Sequence, residues 1–206
     1  MKILAVSDQV SQAIYASKIT ERFGDVDMVI SCGDLPYSYL EYIVSMLGVP
    51  CFYVHGNHDQ PEYTSGGDIL TEPGGWVNLD SRSSRESGIL LAGLEGSIRY
   101  KPGEDYQYTE RQMAWKAWRL LPVLLANRIS CGRYVDILVT HSPPRGIHDG
   151  GDVAHRGFEV FLDLMEHFEP RYLLHGHKHV YGTEPTRSTY AETEVINVYP
   201  YRVIAY

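Results

Sequence analysis

The stretch KILAVSDQV, residues 2–10, sets an apolar run from Ile3 to Val6 directly against a serine and a carboxylate, Ser7 and Asp8. An apolar run of that length reads as a strand buried on both faces, and such strands belong to parallel sheets covered by helices. An acid at the end of a buried strand is costly unless something compensates it. The arrangement recurs along the chain. Met28–Ile30 runs into SCGDL with Asp34, and Cys51–Val54 into HGNHD with Asn57, His58 and Asp59. Val135–Val139 leads to THSPP with His141, and Tyr172–Leu174 to HGHKH with His177 and His179. Ile89–Ala92 is a further run of strand length.

Between these runs, apolar residues repeat at helical spacing: Tyr15, Ile19 and Phe23; Leu40, Ile43, Val44 and Leu47; Phe158, Phe161, Leu162 and Met165. Thr109 and Gln112 have capping-box spacing, which predicts a helix starting near residue 110. Met113, Trp115, Trp118 and Leu121 follow, and these aromatics read as core. Strands alternating with helices define an α/β fold with a largely parallel sheet. After residue 179, VYGTEPTRSTY, AETEVINVY and RVIAY read as short antiparallel strands of a second, meander-like sheet. With no repeat, low-complexity block or linker, residues 1–206 read as a single domain.

Composition bounds the partners. The 206 residues are 44% hydrophobic, and 18 Lys+Arg against 26 Asp+Glu leave a net charge of -8. That balance argues against extended nucleic acid or an anionic membrane surface as partner. Cys32, Cys51 and Cys131 are too few and too scattered for a disulfide framework or a CxxC metal site. They read as buried free thiols in a reducing compartment, and no apolar segment approaches the roughly 20 residues of a membrane span. The expectation is a soluble, cytoplasmic protein.

In an open α/β sheet, ligands bind outside the carboxyl ends of the strands. Each polar residue taken singly has an ordinary explanation, as turn former, helix cap or buried structural histidine. Five strand ends offering Asp, Asp, Asn/His, His and His/His at one edge would be mutually costly without positive charge among them, and divalent cations meet that need. Oxygen and imidazole ligands without thiolate suit Mn, Fe, Zn, Co or Ni. Six such ligands are enough for two ions about 3.5–4 Å apart, bridged by one carboxylate.

Asp8-Gln9-Val10, Gly33-Asp34, Gly56-Asn57-His58-Asp59, His141 and Gly176-His177-Lys178-His179 resemble, in order and spacing, the signature of the calcineurin-like metallophosphoesterases: D-x-H, G-D, G-N-H-[DE], a later H, and G-H-x-H. The resemblance implies a four-layer αββα sandwich of two mixed sheets flanked by helices. It also implies that Asp8 and His179 bind one metal, Asp34 bridges, and Asn57, His141 and His177 bind the other, with His58 catalytic beside the substrate. The implied activity is that of a metal-dependent phosphodiesterase or phosphatase, hydrolysing a small phosphorylated or nucleotide-like substrate by attack of metal-bound hydroxide. Manganese is one expected metal.

Two departures modify the expectation. The histidine of D-x-H is Val10 here, so the first metal site is expected to be the weaker. Gln9 and His55 point away from the gap by strand alternation. Tyr37 stands where the protein phosphatases of this superfamily carry an Asp, which leaves His58 without that partner. Two loops, 97–108 and 142–157, are placed to cover the metals and offer Arg99, His148 and His155 for substrate binding. A reading from another class is a degenerate metallophosphoesterase scaffold that serves as a protein-binding module, like one retromer subunit of this fold. Val10 favours it; retention of His58 and of every ligand of the second site opposes it.

Overall fold

The computed structural model describes residues 1–63 and 66–206. The first sheet contains β1 (Lys2–Val6), β2 (Met28–Ser31), β3 (Cys51–Tyr53) and β4 (Val77–Asn78), parallel throughout, and is closed at its other edge by β11 (Tyr201–Ala205), antiparallel to β1. The second sheet runs β9 (Arg187–Tyr190), β10 (Thr193–Asn197), β8 (Tyr172–His175), β7 (Ile137–Thr140), β6 (Ile89–Leu94) and β5 (Ser83–Glu86). Its four inner strands are parallel and its two edge strands antiparallel.

Strand alternation sorts the apolar residues into layers. Ile3 and Ala5 of β1, Met28 and Ile30 of β2, Leu91 of β6, Val139 of β7 and Leu174 of β8 share one cluster between the sheets. Leu4, Val6 and Val29 face outward onto α1 (Ile19–Phe23) and α2 (Tyr37–Leu47). Ala92, Leu138, Leu173 and Val195 face the opposite way onto α3 (Glu110–Cys131) and α4 (Val160–Phe168). The result is the expected αββα sandwich of two mixed sheets. Each fully buried aliphatic side chain in these clusters contributes about 1.5–3 kcal/mol relative to exposure.

Four expectations are corrected. The C-terminal strands form no sheet of their own: β10 pairs parallel with β8 while β11 crosses to β1, because the apolar faces of VINVY and RVIAY are needed at two different open edges. Tyr15 lies outside α1 and is 48% exposed, its ring packed edge-on against Tyr39 and Tyr42. Trp115 and Trp118 are each 62% exposed and stacked on one another. Helix α3 buries Met113, Ala117, Leu120 and Leu124 instead, and at 3.6 residues per turn positions 115 and 118 fall on the side away from that stripe. The capping box itself is present, with Thr109 Oγ1 accepting from the Gln112 N–H and the Gln112 side chain accepting from the Thr109 N–H. Cys32 and Cys51 are buried free thiols, whereas Cys131 at the end of α3 is only half-buried.

Candidate metal centre

The strands β1, β2, β3, β7 and β8 end at one common edge, and each is followed within four residues by one of the expected ligands. Asp8, Asp34 and His177 adopt left-handed backbone conformations, with φ of 62°, 56° and 64°. Such angles are uncommon for residues with a side chain and cluster where geometry serves a site. Here they turn the chain abruptly at the strand end so that the side chain faces along the sheet edge. Gly176 lets the two sheets meet there: a Cβ at that position would overlap the Ser7 hydroxyl and an Asp8 carboxylate oxygen.

His141 is fully buried at the centre. Its Nε2 lies 3.1 Å from Asn57 Oδ1, 3.1 Å from His177 Nδ1 and 3.4 Å from Asp34 Oδ2. The ligand atoms of Asp34, His141 and His177 all fall within 4.8 Å of one another. Both rings are oriented from behind by carbonyl groups, which can only accept. His141 Nδ1 donates to the Cys32 carbonyl at 2.7 Å, and His177 Nε2 donates to the Ala154 carbonyl at 2.7 Å. Each neutral ring therefore presents its unprotonated nitrogen inward, beside the oxygens of Asp34 and Asn57. Asp34, His141 and His177, with the Asn57 amide oxygen beside His141, could together hold a metal ion, and carbonyl-anchored rings are the usual outer support of such ligands.

Burial lowers the basicity of His141, but the Asp34 carboxylate, through its charge and its contact, and then Asp8 hold it well above the ordinary imidazole value. Asp34 is held low, its burial outweighed by His141 and by the His58 N–H at 2.7 Å. Burial, reinforced by the charge on His141, pushes His177 far down.

Asp8 lies beside this group. Both its oxygens accept from the His177 N–H at 3.0 Å and one also accepts from the Ser7 hydroxyl. Burial raises its pKa. His179 is exposed, stacked on Tyr199 at 4.3 Å, and hydrogen-bonded to Tyr181. Asp8, Asp34, His58, His155, His177 and His179 line one open cavity of about 560 Å³. Val10, where a D-x-H motif would place an imidazole, is half-buried against the apolar cluster under α1 and α2. Gln9 does not fill the gap, since its side-chain oxygen accepts from the Tyr199 hydroxyl at 2.6 Å. His55 likewise points elsewhere, paired with Glu95 at 3.0 Å and stacked on Tyr106.

The loop residues separate. His155 reaches the cavity, its Nδ1 held by Asp152 and its ring tilted over His177 at 5.4 Å. His148 turns inward, away from the cavity. The Gly176 carbonyl takes the Nδ1–H of His175, so His175 Nε2 accepts from His148 Nδ1 at 3.0 Å, and His148 Nε2 accepts from the Ser188 hydroxyl at 2.9 Å. This chain of bonds ties the 142–157 loop down. Arg99 is not brought to the cavity either; its guanidinium sits on the Gln107 carbonyl.

Further residues shape the site without any motif to announce them. Tyr100 OH accepts from Asn57 Nδ2 at 3.1 Å, which fixes the amide with its oxygen toward His141. Asp59, last of the GNHD block, serves the backbone, accepting from the Gly56 N–H at 2.8 Å and the Leu35 N–H at 3.1 Å. Burial and the Asp34 charge push its carboxyl up to about 6. The adjacency of Tyr100 to Arg99 in a loop expected near the metals was the one sequence signal for its role.

Comparison with known proteins identifies the family. The model of the calcineurin-like phosphoesterase family matches residues 1–181, and the chain belongs to that family. Its members are in general metal-dependent phosphoesterases. A protein of Haemophilus influenzae, itself described only as uncharacterized, is 26% identical over 165 residues, covering 70% of this chain and 68% of that one. The crystal structure of TT1561 of Thermus thermophilus superposes with a TM-score of 0.62 at 18% identity, over 96% of this chain and 88% of the other. A further solved chain gives 0.63 at 15% identity, over 96% and 90%. These structural likenesses establish the shared fold. Among the described residues, no helix is long and apolar enough to cross a membrane.

Proposed function

We propose that the chain hydrolyses a phosphodiester or phosphomonoester in a small phosphorylated or nucleotide-like substrate, using divalent transition-metal ions at the strand-end site. The observation that supports this most is the convergence of the carbonyl-oriented rings of His141 and His177 on Asp34 and Asn57. In this reading Asp34, Asn57, His141 and His177 would hold one ion, and Asp8 and His179, together with Asp34, would hold a second. Bound cations would supply the charge that acidifies a water molecule and offsets the phosphoryl oxygens.

The remaining work falls to the chain's own groups. The backbone of His58 is tied to Asp34, which plants its ring on the cavity wall, where it donates a proton to the leaving oxygen. His155, steadied by Asp152, hydrogen-bonds a phosphoryl oxygen. The apolar packing of Val10 favours a first site weaker than the second, so one ion exchanges more readily than the other.

Turnover of bis(p-nitrophenyl) phosphate and p-nitrophenyl phosphate in the presence of Mn tests the proposal. Asp34→Asn is expected to abolish turnover together with metal binding, and His58→Ala to abolish turnover while metal content stays unchanged. Absence of hydrolysis with Mn, Fe, Zn, Co and Ni alike would overturn it in favour of a binding scaffold.

A further inference from the structure

The cavity at the metal centre continues past His155. Gly150 and Asp152 line both it and a neighbouring hollow of about 380 Å³. That hollow shares Arg145 and Arg156 with a third, of about 310 Å³, which ends at Arg99 and Ile98. The three hollows therefore adjoin one another in turn, from Asp34 and His58 to the three arginines.

The arginines are set there by the backbone. Pro144 bridges Phe158, with the Arg145 N–H donating to the Phe158 carbonyl at 3.0 Å and the Phe158 N–H to the Pro143 carbonyl at 3.1 Å. Gly157 permits this contact, since a Cβ there would overlap the Pro143 and Pro144 carbonyls. Arg145 and Arg156 consequently stand on adjoining strands of chain, facing one groove. Arg99 approaches from the other wall, held by the Gln107 carbonyl at 3.2–3.3 Å.

Nothing acidic among the described residues is paired with these three guanidinium groups. The carboxylates nearby have other work: Glu110 accepts from the Val160 N–H, Asp149 from the Gly157 N–H, and Asp152 from His155. Glu159 alone of the lining acids has no such bond. Arg99, Arg145 and Arg156 thus share this lining with Glu110, Asp149, Asp152 and Glu159 but form no ion pair with them, which leaves three guanidinium groups free to meet a ligand. Guanidinium forks match phosphate oxygens in shape as well as charge.

We propose that this groove is a subsite for a second phosphate, so that the substrate class is small phosphoesters bearing a further phosphate or diphosphate group beyond the one hydrolysed. The inference rests on the phosphoesterase reading above and narrows it. Arg145 and Arg156 grip the distal phosphate and Arg99 closes the far wall, while the scissile group lies between His58 and the metal ligands.

The test uses matched p-nitrophenyl phosphodiesters whose second arm ends either in phosphate or in hydroxyl, at several arm lengths, with Mn-loaded protein. At the arm length that spans the groove, KM for the phosphate-ended ester is expected to be about tenfold the lower, with kcat little changed, the order of one charge-assisted contact. In Arg145→Gln/Arg156→Gln the ratio of the two KM values should fall to near one, and in Arg145→Glu/Arg156→Glu it should invert. Circular dichroism and metal content establish that these variants are folded and loaded. Equal KM values in the wild-type protein at every arm length, or a preference that survives both double substitutions, overturn the subsite. Failure to release nitrophenolate from either ester overturns the phosphoesterase reading itself, which is a different result from equal KM.

Discussion

Replacing Tyr100 by Phe deletes one oxygen and tests whether Asn57 is held for metal binding from outside the ligand set. The Tyr100 hydroxyl accepts from Asn57 Nδ2 at 3.1 Å, and Asn57 Oδ1 lies 3.1 Å from His141 Nε2. With the hydroxyl gone, rotation of the amide by half a turn brings its NH2 group toward His141, where it repels a cation. A hydrogen bond of this kind contributes about 1 kcal/mol net, which is about a fivefold change in an equilibrium constant. Outer partners of metal ligands commonly contribute about ten- to a hundredfold, so about fivefold is a lower bound for the loss of affinity. Calorimetric titration of the metal-free protein with Mn measures it, alongside thermal melting of the metal-free form. The expected result is weaker Mn binding at the tighter site with little change in the metal-free melting temperature, because Tyr100 is only half-buried. Unchanged Mn affinity, or a loss of affinity wholly matched by a loss of metal-free stability, would refute the positioning role.

Three further outcomes follow from named contacts. Val10→His should make the more readily chelated ion resist removal, as read by metal content after graded dialysis against a chelator; two equally resistant ions in the wild type would contradict the weaker first site. His148→Ala cuts the link to His175 and Ser188, which frees the loop whose Ala154 carbonyl orients His177, and Mn affinity should fall by about tenfold; an unchanged titration would show that the loop holds itself. Glu95, despite burial, is held below its ordinary value of 4.5 by His55, Lys116 and Tyr108, so its stabilisation is complete above that value and fades as the pH falls below it. Glu95→Gln should accordingly cost about 3 kcal/mol near neutrality by leaving Lys116 short of a partner, with the gap to wild type closing in acid; a gap that is constant with pH in urea melts would refute the assignment.

The candidate ligands were legible from sequence because each sits within four residues of a strand end, and a buried parallel strand announces itself by local composition. Asp8, Asp34, Asn57, His141 and His177 needed only the rule that parallel strands share a carboxyl edge to be placed together. The groups that orient them were not legible, for a physical reason: Tyr100 meets Asn57 across 43 residues and His177 meets the Ala154 carbonyl across 23, and neither contact leaves a periodicity. Helix α3 shows the same limit from the other side. Its start was fixed by a local device, the Thr109–Gln112 box, but its buried face depended on which stripe the second sheet accepted. The sheet took Met113, Ala117, Leu120 and Leu124, leaving the larger Trp115 and Trp118 outside, against the order of their apolar area. Arg99 makes the point most usefully. Placed near the metals by its loop, it lies instead beside Arg145 and Arg156 of the 142–157 loop, the other loop expected over the metals, and away from the cavity that holds Asp34 and His58. The sign of the charge at a strand edge can be read locally, but the length of substrate a site accepts is set by how distant loops meet, and there the three arginines favour a ligand with phosphate at both ends.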